Sequence, residues 1–413
     1  MNSEKSRYML FVESNTTGSG MEALKIAKNM GFLPVLISNN LNRYIGLSQI
    51  DCLTYECDTN SITDIINLIS SNFNPKDIIG ITTTSEFYII MVSRLCSHYN
   101  LPSNTTSSLA KCRNKSLTRE ALETNKIKQP RFKTLKKLTD LEIKDAINHL
   151  GLPCVIKPVD DTGSNKVKLC FTLEEVFQAS ESIMNTSSNV RGQETIKSVL
   201  IEEYIDAPEF SVEMFSWNGE HRFVGITKKV VGYQPNFVET QHIFPASVPA
   251  SIGEEVKQAC IEVLNALEIK QGPTHIEIKI LENDYFFIEV NARLAGGMIP
   301  ELIKLSTGMD LLKEQLRISC NLEPKLIGQN NLYSGIAFIT TEKNGILKGI
   351  DFEKVQTKKG IEQITVTKKI GDYVQKPTNA YDRLGYIIVK GYSEKEVESL
   401  LSNVLAQISI EII

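Results

Sequence analysis

The sequence predicts an α/β protein, with a small doubly wound domain at the N-terminus and α+β sub-domains after it. Three observations predict this fold class. The first hundred residues alternate short apolar runs with helix-period runs; residues 274–291 carry two period-2 runs around a polar turn; and beyond Asn331 short strands alternate with turns. At 413 residues the chain is too long for one ordinary hydrophobic core, so two or three packed sub-domains forming one unit are expected.

Tyr8–Val12 is a short apolar strand, followed by the loop 13–20. A helix with Leu24, Ala27 and Met30 on one face comes next, Gly31 ends it, and 32–37 resumes as a strand. Ser61 caps a helix whose apolar face holds Ile62, Ile65, Ile66 and Ile69, and Ile78–Thr82 is another strand. The loop 15–20 lacks the full dinucleotide fingerprint and reads first as a turn of an open α/β sheet, although its N–H groups could hold phosphate. From 111 to 198 a charged helix precedes two paired apolar strands, Cys154–Pro158 and 167–171, and the segment 187–193 reads as polar and mobile. A β-rich region runs from 200 to 290; strands at 335–340, 361–367 and 386–390 follow, then a helix capped by Ser393 with Val397, Leu400 and Leu401 apolar.

A net charge of −4 with a pI near 5.9 lacks the basic face of a general nucleic-acid binder. No apolar run approaches the roughly 20 residues of a membrane span, and the polar start, with only a short apolar run after it, is not a signal-peptide core. A cytoplasmic protein with neither nucleic acid nor membrane as partner is expected. The eight cysteines form no CxxC pair and read as buried free thiols rather than zinc or disulfide partners.

The hairpin at 274–291 is the most informative stretch. Centring its turn on Asn283 sets Glu277 opposite Glu289 and His275 opposite Asn291; Ile276, Ile278, Ile280, Phe286, Ile288 and Val290 then point to the other face, into the core. Directly opposed residues have Cβ atoms about 4.5–5.5 Å apart, where like charges repel. A divalent cation would compensate, and Glu277, Glu289 and Asn291 offer oxygen ligands that suit Mg²⁺ with phosphates completing its shell. The alternative is a solvated sheet face on which Lys279 and Arg293 screen the acids.

These residues match a known family. Glu277, then Glu289-Val290-Asn291-Ala292-Arg293, then Gly296–Gly297, resembles the metal-binding signature of the ATP-grasp superfamily. Val155-Ile156-Lys157-Pro158 with Gly163–Ser164 resembles its phosphate-binding strand and loop, and Leu200-Ile201-Glu202-Glu203-Tyr204-Ile205, with Glu209 beyond, its adenine-binding hinge. The resemblance implies an ATP-grasp fold with ATP and Mg²⁺ as cofactors (Mn²⁺ able to substitute). It also implies an N-terminal domain over 1–110, a helical linker and small lid over 111–198, a central Mg-ATP sub-domain over 199–325, a C-terminal α+β sub-domain over 326–413, and often a homodimer. Lys115 and Lys157 would each reach a phosphate as point charges. Lys157 lies inside an apolar strand, where a charge needs a partner. The turn at Gly163 and Ser164 would close N–H groups over phosphates. Lys166 stands where a second Gly is usual, which puts the loop geometry in doubt, although its charge could help neutralise phosphate. Backbone groups of Glu203 and Ile205, flanking Tyr204, would read the adenine edge, Glu202 would accept from its amino group, and Glu209 would bind the ribose.

The segment Phe237-Val238-Glu239-Thr240-Gln241-His242-Ile243-Phe244-Pro245-Ala246 is similar to the substrate segment of the L-amino-acid ligases, which make dipeptides from free amino acids. Glu239 and His242 would line the amino-acid site with Arg293, Gly296 and Gly297; Glu86 resembles a further substrate-side acid, and 382–386 resembles the group's C-terminal domain. The resemblance implies a two-step reaction: phosphoryl transfer from ATP to one carboxylate, then attack of the second amine on the acyl phosphate. Arg293 would stabilise the transferring phosphoryl group and the oxyanion; Glu239 or His242 would take the amine's proton; the segment 125–198 would exclude water as a lid. The acids Glu86 and Glu239 could suit a basic substrate such as arginine. Two alternatives stay open. One is a carboxylase-type enzyme activating bicarbonate, which would form ADP without any amino acid; the other is a non-catalytic ATP-binding regulator, which would bind ATP without turnover.

Overall fold

The computed structural model describes residues 7–16, 19–232 and 235–413. β1 (Tyr8–Val12), β2 (Leu33–Ser38), β3 (Leu53–Glu56) and β4 (Ile78–Thr82) form a parallel sheet in the order β3-β2-β1-β4. Such strands are apolar on both faces and need cover on both. α1 (Ser19–Asn29) supplies one cover, with Leu24 and Ala27 against Met9, Phe11 and Leu36. α2 (Ile62–Asn72) and α3 (Ile89–His98) supply the other, with Ile65, Ile69 and Leu95 against Leu10, Val12 and Val35. Ser61 caps α2 by accepting from the Asp64 N–H. Gly31 turns the chain after α1 at φ +84°, leaving Met30 just past the helix. Of the loop 15–20, Thr17 and Gly18 lie outside the described residues, as do the first six residues of the chain.

α4 (Thr106–Arg113) and α5 (Lys115–Thr124) lead to a second sheet of β5 (Phe132–Leu135), β6 (Cys154–Pro158), β7 (Lys168–Cys170) and β8 (Val199–Glu203), ordered β5-β8-β6-β7 with antiparallel pairs. α6 (Asp140–Leu150) and α7 (Leu173–Met184) pack on it through Ile143, Leu150, Val176 and Ile183. α7 opens with a capping box between Thr172 and Glu175. The polar segment after α7, expected to be mobile, is instead a tight turn: Asn189 N–H donates to the Gln193 carbonyl at 2.9 Å, and the Gln193 side chain donates to the Phe87 carbonyl of the N-terminal domain at 3.1 Å.

The remaining chain builds one eight-stranded antiparallel sheet. Its strands are β9 (Glu209–Trp217), β10 (Glu220–Gly232), β11 (Val238–Phe244), β12 (Gly272–Leu281), β13 (Asp284–Asn291), β14 (Tyr333–Ile339), β16 (Ile361–Val366) and β18 (Gly385–Gly391), in the order β13-β12-β9-β10-β11-β14-β18-β16. The last three come from beyond residue 326, so the sheet runs on through the β11–β14 pair. α8 (Ala250–Ala266) covers one part through Val256, Cys260 and Leu264. α9 (Ile299–Thr307) packs near Phe244 and Ile336, while Leu312 and Leu316 of α10 (Leu311–Ser319) join the core under α1. A small sheet of β15 (Gly345–Asp351), β17 (Tyr373–Val374) and β19 (Ser409–Ile412) shares a core with α11 (Glu394–Leu405), capped by Ser393. No helix among the described residues is long and apolar enough to cross a membrane.

The hairpin β12–β13 pairs Glu277 with Glu289 and His275 with Asn291, as expected. It does so by a route the alternation does not predict. The turn is only Glu282–Asn283, since Leu281 pairs with Asp284, and a bulge at Ile288 then shifts the register. Phe287 rather than Phe286 therefore enters the core, opposite Ile278, and Ile288 lines the large cleft of the molecule.

Candidate active site

A cleft of about 1330 Å³ is lined by residues of the three larger sheets and their loops. The carboxylates Glu277 and Glu289 face one another on its wall, and Asn291 follows on the same strand. Lys115, at the start of α5, places Nζ 3.5 Å from Glu289 and donates to the Asp161 carbonyl at 2.7 Å.

A second set of carboxylates surrounds Lys229 on β10, a residue that the sequence motifs do not single out. Its buried Nζ lies 2.7 Å from Glu209, 2.6 Å from Glu239 and 2.8 Å from Glu277. Burial opposes the ammonium's charge, but the three carboxylates outweigh burial and hold its pKa well above the ordinary lysine value. Burial raises Glu209, reinforced by its acidic neighbours against Lys229. Carboxylate oxygens of Glu209, Glu239 and Glu277 lie within 4.8 Å of one another, a spacing that would hold a metal. Lys229 already supplies a positive charge there, and Glu277 is shared between this group and the expected Glu277–Glu289–Asn291 set. Behind Glu277, His275 bridges its carboxylate at 3.3 Å and that of the buried Glu213 at 2.9 Å. Burial disfavours the imidazolium, yet these two acids raise His275 to about 9.

The residues expected on the nucleotide side line the same cleft, several with partners of their own. Lys157 pairs with Glu202 at 2.5 Å, and Arg119 pairs with the other oxygen of Glu202 at 2.6 Å. Burial lowers Lys157's pKa, with Glu202 opposing. The Glu202 carboxylate expected to meet the adenine amino group is thus held by two cations. Glu203 binds Arg131, its N–H donates to the Arg131 carbonyl, and the Ile205 carbonyl accepts from Lys279 at 2.8 Å. The Tyr204 ring lies under the Lys279 ammonium, whose Nζ is 5.0 Å from its centroid. Glu209, expected at the ribose, faces Lys229. In the phosphate loop Gly163, Ser164 and Lys166 have φ of +71°, +55° and +57°, so Lys166 adopts the left-handed conformation usual for glycine. Its ammonium donates to Thr186 and to the Ser182 carbonyl, and so is not turned toward phosphate.

Among the residues expected on the substrate side, Arg293 pairs with the buried Glu86, which also lies 3.9 Å from Arg113. Burial raises Glu86, but Arg293, Arg113 and Lys115 hold it below the usual carboxylate range. His242 lies 3.2 Å from the Gly297 carbonyl through Nδ1 and 3.2 Å from Glu239 through Nε2. A carbonyl and an ionised carboxylate both only accept, so each ring nitrogen of His242 faces an acceptor. Gly297 has φ +56°, and a Cβ there would fall 2.3 Å from the His242 ring. Gly296 lines the cleft beside it. Arg383, from the loop before β18, donates to the Glu239 carbonyl at 2.8 Å and to its carboxylate at 3.3 Å, with its guanidinium 3.5 Å from the Phe338 ring centroid. Burial raises Glu239, but Lys229, His242 and Arg383 together hold its carboxyl well below the ordinary value. Lys229 carries the signal that marks Lys157, a lysine inside a β-branched strand; Arg383 sits in the 382–386 motif.

Two family models match the chain: an ATP-grasp domain over residues 150–301 and the L-amino acid ligase C-terminal domain 2 over residues 337–412. An uncharacterized protein of Sinorhizobium fredii, y4rH, is 25% identical over 98% of this chain and 83% of its own length. An L-arginine-specific L-amino acid ligase of Bacillus subtilis is 24% identical over 78% of this chain and 77% of its own. In three dimensions the chain resembles an L-amino acid ligase from Bacillus licheniformis, with a TM-score of 0.84 and 20% identity over the full length of both chains.

Proposed function

We propose that this chain, an ATP-grasp ligase with an L-amino acid ligase C-terminal domain, joins two free amino acids into a dipeptide through an acyl phosphate, releasing ADP and phosphate. One observation carries the reading. The paired carboxylates Glu277 and Glu289, the arginine Arg293 and the Glu239–His242–Arg383 group open on one cleft, so a carboxylate can be activated and captured without leaving it.

Glu277, Glu289 and Asn291 would hold Mg²⁺, which when bound neutralises phosphate charge. Lys115 and Lys157 supply fixed positive charge along the same wall, and the N–H groups at Gly163 and Ser164 cap the phosphates. Arg293 meets the carboxylate as it gains the phosphoryl group and then the tetrahedral oxyanion. The carboxylate oxygen attacks the γ-phosphorus and ADP leaves; the amine nitrogen then attacks the acyl carbon, and phosphate leaves with that oxygen. Glu239 or His242, which meet at 3.2 Å, would take the amine's proton. Glu86 and Glu239 both carry cationic partners, which leaves neither with a free charge for an arginine side chain.

The test is phosphate release from ATP and Mg²⁺ across a matrix of amino-acid pairs, with mass spectrometry of products. Release accompanied by a dipeptide mass is expected, with neutral first amino acids ahead of arginine. Release that needs bicarbonate and no amino acid would replace the ligase reading with the carboxylase one.

A further inference from the structure

The N-terminal domain contains a buried carboxylate that no step of the ligation uses. Glu13 follows β1 directly, at φ +53°, and is fully buried. Its Oε1 accepts from Ser38 Oγ at 3.0 Å, the Asn39 N–H at 2.7 Å and Thr59 Oγ1 at 2.9 Å, and its Oε2 accepts from the Tyr44 hydroxyl at 2.5 Å. These donors are neutral. Among the described residues, the one cation in ion-pairing range of Glu13 is Arg191, at 3.5 Å, and it comes from the turn after α7 in the second sheet's sub-domain. A buried charge needs such a partner, and losing it is costly.

The turn is built to present Arg191. Asn189 Oδ1 accepts from the N–H groups of Arg191 and Gln193, and Gly192 takes φ +74°. Three further bonds fix it to the N-terminal domain: Arg191 to the Ser14 carbonyl at 3.1 Å, the Asn60 side chain to the Arg191 carbonyl at 3.2 Å, and Gln193 to the Phe87 carbonyl at 3.1 Å. From there the contacts continue toward the chemistry. Ser14 Oγ meets Thr84 Oγ1 at 2.6 Å, and the Glu13 carbonyl accepts from Thr83 Oγ1 at 3.2 Å. Glu86, a few residues on, grips Arg293 and accepts from Thr162 of the phosphate loop at 3.4 Å.

We infer that Arg191 is a positioning residue: by docking on Glu13 and Ser14 it latches the lid against the amino-acid side of the cleft and keeps water from the activated carboxylate. This rests on the proposed ligase function. Without the latch the cleft still binds ATP and still transfers phosphate, but the acyl phosphate is hydrolysed before the amine reaches it.

The experiment compares full-length wild type with R191A, R191K and E13Q in two readouts. Hydrogen exchange needs no turnover. Amides of 185–195 should exchange about tenfold faster in R191A and E13Q, while those of β6 and β8 keep their protection and show that the lid sheet is folded. In the ligation assay phosphate released per dipeptide should rise from near one to about two or more in R191A, with the KM for ATP unchanged and R191K restoring part of the coupling. Unaltered exchange of the turn in both variants overturns the latch whether or not the wild type ligates. Unaltered phosphate-to-dipeptide stoichiometry in R191A overturns its role in water exclusion. A wild type that makes no dipeptide overturns the ligase reading instead, and the exchange result then still decides the latch.

Discussion

Lys229 stands where three carboxylates would otherwise repel one another, and its neighbours explain why one ammonium can be buried there. Removing it takes the ion pair from Glu209 and one partner each from Glu239 and Glu277, so K229M should lose roughly 3–5 kcal/mol of stability, the usual cost of breaking a buried pair. Urea denaturation measures this; an unchanged midpoint would mean that the carboxylates do not depend on the lysine. Arg293 is different in kind, because the proposed reaction uses it. R293A should lose dipeptide formation by roughly 3–4 kcal/mol of transition-state stabilisation while binding ATP nearly as before, and equilibrium nucleotide binding beside turnover separates the two. Glu202 gives a pH prediction. Burial raises its pKa, but Arg119 and Lys157 bring it below the ordinary 4.5. A depressed carboxyl contributes stability that is present above 4.5 and lost as pH falls below it. E202Q should therefore be less stable than wild type at neutral pH and show a shallower loss on acidification, read from thermal melts between pH 7 and 3.

The hairpin β12–β13 shows what can be read at the level of an element and what cannot. Alternation alone places Glu277 and Glu289 on one face, since a strand's side-chain period is two. It does not reveal the bulge at Ile288, because an inserted residue leaves the same apolar letters in the sequence. A turn centred on Asn283 pairs the two acids correctly only because the shorter real turn and the bulge offset one another. The same limit applies to the segment after α7. Its polar composition reads as mobile, yet its order comes from partners more than a hundred residues away, such as Ser14 and Phe87. The turn at Gly296–Gly297 carries the element-scale prediction. A methyl group at Gly297 would meet the His242 ring and sit at positive φ, so G297A should cost roughly 1–3 kcal/mol in stability. It should also lower kcat with the KM for ATP unchanged. A variant with wild-type kcat would show that His242 need not sit against that turn.

Across the whole molecule, what was legible is what local chemistry determines: the capped helices at Ser61 and Ser393, the alternating N-terminal domain, and the hairpin that pairs Glu277 with Glu289. The charge network was not legible, because Lys229, Glu213, His275 and Arg383 meet only when β9, β10, β12 and the loop before β18 are assembled. Arg383 is the clearest case, since it reaches Glu239 only because strands from beyond residue 326 join the sheet that carries β11. In the proposed reaction that continuity gives one cleft both an activating side and a capturing side, and the central claim is that a single carboxylate passes between them as an acyl phosphate. The direct measurement supplies the first amino acid with an ¹⁸O-labelled carboxylate and weighs the phosphate released during dipeptide formation. One labelled oxygen in that phosphate is predicted, because the oxygen that attacks ATP leaves with phosphorus when the amide forms. Unlabelled phosphate accompanying labelled dipeptide would contradict the account.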